Sequence, residues 1–128
     1  MPSIEKERAA FAWQKVQNCS NDYANLAKAA PALIMTNGLM QTLAFFASKK
    51  KPHHDRLNGH IFEWLKRRTD GSFKVSGNHQ EDFKEVMNYL NNSDSASYRR
   101  ATEEVLALLR WVRQFASAVN AGKQGDEP

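Results

Sequence analysis

A chain of 128 residues has the length of one domain and is long enough to bury a core without disulfides or metals. With 41% hydrophobic and 25% charged residues, six glycines and four prolines, its composition excludes a disordered or low-complexity protein. One cysteine, Cys19, excludes an internal disulfide, and the formal charge of +4 points to a polyanionic partner only if the charge is localised.

Ser3 is placed to cap a first helix, with Glu5 and Glu7 in its first turn, where the helix dipole favours carboxylates. Ala9, Ala12, Val16, Cys19, Tyr23, Leu26 and Ala30 follow at steps of three and four, which lines one buried face. Asn18, Ser20, Asn21 and Asp22 are weak helix formers and good caps, so the helix is expected to stop and restart there. Cys19, within this apolar register, reads as a small core residue.

Pro31 has no N–H and crowds the preceding turn, so it is expected to end that helix or to open the next at its first position. Met35, Leu39, Leu43 and Phe46 then form the buried stripe of the following helix, with Leu33, Ile34, Met40 and Phe45 widening it. Gly38 within that helix costs about 1 kcal/mol relative to alanine, which implies a close approach of another group. Thr36, Asn37, Gln41 and Thr42 interrupt the apolar run and argue against a membrane span.

Asp55 is expected to cap a further helix carrying Leu57, Ile61, Trp64, Leu65 and Arg68 and ending near Asp70-Gly71. After the loop "GSFKVSG", Asn78 and Glu81 have capping-box spacing, and Phe83, Val86, Met87 and Leu90 supply an apolar face that ends at Asn91-Asn92. The last helix runs through Tyr98, Ala101, Val105, Leu108, Val112, Phe115 and Val119 and is expected to stop at Asn120 to Gly122. Only Phe73 to Val75 alternates enough to suggest a strand. The expectation is a single all-α domain, a bundle of five to six helices over residues 1–120, with a flexible tail at 121–128.

Charge is unevenly spread. Residues 49–76 carry Lys49, Lys50, Lys51, Arg56, Lys66, Arg67, Arg68 and Lys74 against Asp55, Glu63 and Asp70, a net +5. In residues 77–98, Lys84 stands against Glu81, Asp82, Glu85 and Asp94. A basic surface for a polyanion and an acidic surface for a protein neighbour follow. Lys49, Lys50, Lys51, Arg56, Lys66, Arg67, Arg68, Arg110 and Arg113 are the RNA-binding candidates, because cations along helices track a phosphate backbone without reading sequence. The aromatics among them read as core residues rather than stacking platforms.

Little else in the chain points to chemistry. His53, His54, Asp55 and His60 include the His-Asp pair of metal-dependent phosphohydrolases, but no histidine precedes His53 as that signature requires. Glu103 and Glu104 project about 100° apart on a helix and read as surface ion-pair partners of Arg99 and Arg100. Nothing resembles a glycine-rich phosphate loop, a serine elbow or a Cys–His pair. The expected protein is not an enzyme and has no catalytic, cofactor or metal site. With no basic, apolar and small-residue series at its N-terminus, its expected compartment is the cytoplasm.

The segment "LAKAAPALIMTNGLMQTLAFFASK" resembles the signature of the small helical subunit of type III-B CRISPR effector complexes, through Pro31, Ile34, Asn37, Gly38, Leu39, Gln41, Leu43, Ala44, Phe45 and Lys49. The resemblance implies a non-catalytic subunit whose copies stack into a minor filament inside a ribonucleoprotein. It also implies contact with the guide–target RNA duplex and with other subunits of the complex, and a role in antiviral defence. Only the signature positions transfer individually, and they are expected to be structural. A helical protein–protein adaptor with a basic patch and the small subunit of a sister CRISPR complex are the competing readings. A His-Asp metal phosphohydrolase is a third.

Overall fold

The computed structural model describes residues 3–69 and 72–124, with side chains as far as residue 121. Six helices follow in order, α1 (Ile4–Val16), α2 (Asn21–Asn37), α3 (Leu39–Lys49), α4 (Pro52–Arg68), α5 (His79–Asn91) and α6 (Ser95–Gln124), and the described residues contain no strand. Phe73 to Val75 is an irregular connection rather than a strand. Phe73 is nevertheless buried and anchors it.

The caps behave as their chemistry dictates. Ser3 accepts from the Lys6 N–H, Ser20 from the Tyr23 N–H, Asn78 from the Glu81 N–H and Asp94 from the Ser97 N–H. Between α1 and α2 the chain turns through Asn18, whose φ of 62° is tolerated by asparagine. The apolar register spans this break, so Ala12, Val16, Cys19 and Tyr23 are all buried.

The centre of the fold is α6, on which α1 and α2 pack most extensively. Its buried face is Ala101, Val105, Leu108, Leu109, Val112 and Ala116. Helix α6 continues through Asn120 to Gln124 instead of stopping at Asn120 to Gly122, which places the first part of the expected tail in the helix. Residues 125–128 lie outside the described ones. Asn120 is a buried link, donating to the Cys19 Sγ and to the Ala116 carbonyl, so its polarity serves the interior and not a helix end.

The largest departure from the sequence expectation concerns Pro31, which lies inside α2 and neither ends nor opens a helix. Ala27, Ala30 and Ile34 are buried on both sides of it, so tertiary packing carries the helix across the missing hydrogen bond. The break falls at Gly38, whose φ of 89° and ψ of 161° are accessible to glycine alone among the residue types. A Cβ there would meet only the Tyr98 Oη, at an ordinary 3.9 Å, so the backbone angle and not a close approach requires the glycine.

This break changes the register. Leu39, Leu43 and Phe46 are buried as expected, but Met35 is 77% exposed and Ile34 takes the inward position. The Tyr98 hydroxyl accepts from the Met40 N–H, satisfying a donor at the start of α3 that Gly38 has no side chain to reach. Helix α4 begins at Pro52 with Lys51 as its N-cap, one turn earlier than the expected cap at Asp55. It ends at Arg68, and Asp70-Gly71 lie outside the described residues.

Tyr23 and His60 join α2 to α4, the phenol oxygen 2.7 Å from the His60 Nδ1. The buried phenol has no other described partner, so it donates to Nδ1, and the proton of the neutral imidazole sits on Nε2. Burial, then Lys15 and Arg56, holds the His60 pKa down at about 4, and burial raises that of Tyr23.

Two outcomes follow. Replacing Gly38 with alanine should lower the unfolding free energy by about 2 kcal/mol in urea titrations, because the position lies outside the range of L residues. Acidification should also destabilise the fold through His60. Its folded pKa lies below the unfolded value, so the stability it contributes is present above about pH 6.5 and is lost as pH falls toward 4. Unfolding free energies from urea titrations at pH 7 and pH 5 should differ by about 1–2 kcal/mol from this group, and His60→Gln should flatten the dependence.

Candidate nucleic-acid interface

The basic residues of the +5 block fall on one continuous piece of structure. Lys49 closes α3, Lys50 turns the chain with a φ of 53°, and Lys51 is the N-cap of α4, all three exposed. Arg56, Lys66, Arg67 and Arg68 then follow along α4. The lysine cluster and the Lys66 to Arg68 cluster are about 25 Å apart along the helix at 1.5 Å per residue. The surface is a ridge charged at both ends with Arg56 between, not a compact patch.

The cations differ in how free they are. The Lys49 ammonium sits 5.2 Å from the Phe45 ring centroid, and the Arg67 guanidinium lies 4.9 Å from that of Phe11. Both residues stay exposed, with the cationic group itself over the ring. Lys66 donates to the Phe73 carbonyl and so pins the connection between α4 and α5. Arg68 is drawn toward Glu104, with its Nε 3.8 Å from the carboxylate.

Glu104 is not the surface partner of Arg100 that helical spacing implies. Its carboxylate accepts from the Arg8 Nε and Nη2 at 3.2 and 2.9 Å and from the Trp64 Nε1 at 2.9 Å. Burial opposes its ionisation, but the hydrogen bonds from Arg8 and Trp64 outweigh this and hold its pKa below the usual value. Arg100 instead donates to Ser97.

Arg110 and Arg113 are exposed on α6, apart from this ridge. Arg113 is nine residues beyond Glu104, about half a turn around the helix from the side that Arg68 approaches. The exposed surface near them holds Trp13, 50% exposed, and Phe115 and Trp111, with Phe115 5.3 and 5.6 Å from the two indoles. Trp111 donates to Glu5. The sequence reading of these aromatics as core holds for Trp64, and Trp111 and Phe115 are partly buried against the core, whereas Trp13, outside the α1 apolar register, is half exposed.

The signature positions divide between two roles. Leu39 and Leu43 are buried and Gly38 forms the joint, whereas Asn37, Gln41, Ala44 and Phe45 face outward. Half of the segment is therefore in the core and half at the surface. Phe45 is 45% exposed and, with Met35, leaves apolar surface at this end of the molecule.

The histidines are dispersed. His54 is buried against Phe46, His60 pairs with Tyr23, and Asp55 faces His79 with 2.9 Å between Oδ1 and Nε2. Among the described residues no three His, Cys, Asp or Glu side chains are placed to hold a metal ion. No described helix is long and apolar enough to cross a membrane.

A cleft of about 660 Å³ lies between α4 and the connection leading into α5. Arg56, Gly59, His60, Glu63, Lys66 and Arg67 line it from α4, and Val75, Ser76, Gly77, His79 and Asp82 line it from the other side. The buried Asp82 fixes that second wall, accepting from the Ser76 and Gly77 N–H groups and from the Ser76 hydroxyl.

Comparison with known proteins agrees with this architecture. A curated relative described as CRISPR system Cmr subunit Cmr5, from Thermus thermophilus, is 28% identical over 116 residues, covering 87% of this chain and 90% of its own length. The crystal structure of a CRISPR-associated Cmr5 family protein from the same organism superposes with a TM-score of 0.72 at 27% identity, covering 93% of this chain and 98% of the other. Residues 4–119, which take in α1 to α5 and most of α6, match the family described as CRISPR-associated protein (Cas_Cmr5), and the chain belongs to that family.

Proposed function

We propose that this protein is a non-catalytic small subunit of a type III-B CRISPR ribonucleoprotein of the cytoplasm, and that it contacts the guide–target RNA through the α3–α4 ridge. Family membership supports the place in the complex, and the observation that carries the RNA contact is the row of exposed cations from Lys49 to Arg67. Lysine and arginine on a rigid helix neutralise successive phosphates without sequence preference. The non-catalytic reading rests on how the ionisable groups are already engaged. Glu104 holds Arg8 and Trp64, Asp82 holds a loop, and His60 holds Tyr23.

Copies of the chain stack in this reading, and other subunits flank them. The half-exposed Phe45 and the exposed Met35, beside the polar Asn37 and Gln41, favour a protein contact at the α2–α3 joint. The ridge and this joint are then separate surfaces, one for the polyanion and one for a neighbour. A domain that holds RNA at only a few phosphates gains most of its affinity from being repeated along an assembly.

Neutralising Lys49, Lys51 and Arg67 together with glutamine should weaken RNA retention by the assembled complex. It should also flatten the dependence of log K on log salt by about 2 to 3, since each lost phosphate contact removes about 0.7 to 0.9. Equal retention by wild type and triple variant would sink the RNA reading. Association with the other subunits that survives nuclease treatment, with RNA retention unchanged, would favour the adaptor.

A further inference from the structure

Gly59 stands in the middle of α4, where a helical glycine costs about 0.5–1 kcal/mol relative to alanine. Nothing in the fold requires it, because a Cβ at this position would meet no atom within 4 Å. The space lies in the cleft between α4 and the connection into α5. A side chain is missing where the cleft would otherwise be filled.

The groups around that gap are donors. Arg56, three residues before Gly59, makes no hydrogen bond or ion pair with any described residue. His60, which also lines the cleft, receives the Tyr23 hydroxyl on Nδ1, which leaves Nε2–H as its remaining polar atom. Arg67 lies two turns further along the same face, about 12 Å from Gly59 along the axis.

Two of the three carboxylates of the cleft, Glu63 and Asp82, are already engaged by hydrogen-bonding partners. Glu63 pairs with Lys15 at 3.0 Å, Asp55 faces His79, and Asp82 accepts three hydrogen bonds from the loop. With Glu63 paired to Lys15, Arg56, Lys66 and Arg67 stand against Asp55 and Asp82 in the cleft, a net of one positive charge.

We propose that this cleft is a phosphate seat, in which one phosphate of a phosphodiester is held by the Arg56 guanidinium and the His60 Nε2–H over the bare turn at Gly59. Arg67 neutralises the charge beyond it. The bare helix lets an anion approach closer than any side chain would allow, and a neutral imidazole donor contributes direction without adding charge. The inference rests on the RNA reading for the source of the phosphate, but the geometry also fits a free phosphate ester.

The test uses the full chain labelled with nitrogen-15. Its amide spectrum is followed on adding a ten-nucleotide RNA, inorganic phosphate, adenosine monophosphate, or sodium chloride at matched ionic strength. RNA and a phosphate species, but not chloride, should shift the resonances of Arg56 to Glu63. Gly59→Leu fills the cleft in a helix with room for it, so it should melt no lower than wild type while losing binding about tenfold or more. Arg56→Gln should weaken the same binding with the fold intact.

If Gly59→Leu binds RNA as wild type does while the triple variant of Lys49, Lys51 and Arg67 fails to, the cleft inference is wrong and the RNA reading stands. If RNA leaves the spectrum unchanged but phosphate or the mononucleotide occupies the cleft in a Gly59-dependent way, the seat is real and serves a free phosphate ester. No shift at Arg56 to Glu63 with any phosphate species overturns the proposal.

Discussion

The carboxylate of Glu104 is the constraint on which the placement of the helices depends. It reaches α1 through Arg8 and α4 through Trp64, so one side chain of α6 joins three helices. The Trp64 ring is fully buried, and without Glu104 its indole N–H would be left without this acceptor inside the protein, a loss of about 1–3 kcal/mol. Arg8, with 14% of its side chain exposed, would likewise lose the stronger of its two carboxylate partners. The polar junction therefore sets the rotation of α4 about its axis. With Trp64 turned inward, Arg56 and Arg67 are turned out.

That rotation explains why a strongly basic helix can also be a core helix. Leu57, Ile61, Phe62, Trp64 and Leu65 are fully buried on one side of α4, and the cations occupy the remainder. The aromatic surface does not end at the core boundary, because Arg67 lies over Phe11 and Lys49 over Phe45. These contacts hold the cationic groups themselves over the rings and so restrict where each charge sits on the surface.

Periodicity made the helices legible, along with the core and most of the caps, because these depend on neighbours three or four residues away. Ser3, Ser20 and Asn78 act locally, and so does the stripe of α6. Pro31 and Gly38 were misassigned for a shared reason. A proline is a strong local breaker, yet burial on both sides of it held α2 together, and the break moved to a glycine whose positive φ cannot be seen in a sequence. Glu104 shows the same limit. Its spacing from Arg100 suggested a surface pair, whereas its partners lie 96 and 40 residues away along the chain. The candidate cations were visible as a charge run, but their division into a ridge on α4 and a separate pair on α6 needed the helix packing. The cleft was hidden because its second wall comes from a loop that Asp82 folds back.

The joint at Gly38 connects the signature segment to the rest of the function. Had the helix run unbroken from α2 into α3, Met35 would have shared the buried stripe of Leu39 and Leu43, as the spacing implies. The glycine turns the two helices relative to each other, so that Leu39, Leu43 and Phe46 enter the core while Met35, Gln41 and Phe45 stay at the surface. Tyr98 of α6 holds the turn by accepting from the Met40 N–H, and the Gly38 carbonyl accepts from the Thr42 hydroxyl. A fixed joint presents those outward residues in one geometry, as the proposed contact with a neighbouring subunit requires. Lys49 lies at the far end of the same α3, so the joint that sets the proposed protein contact also sets where the cationic ridge begins.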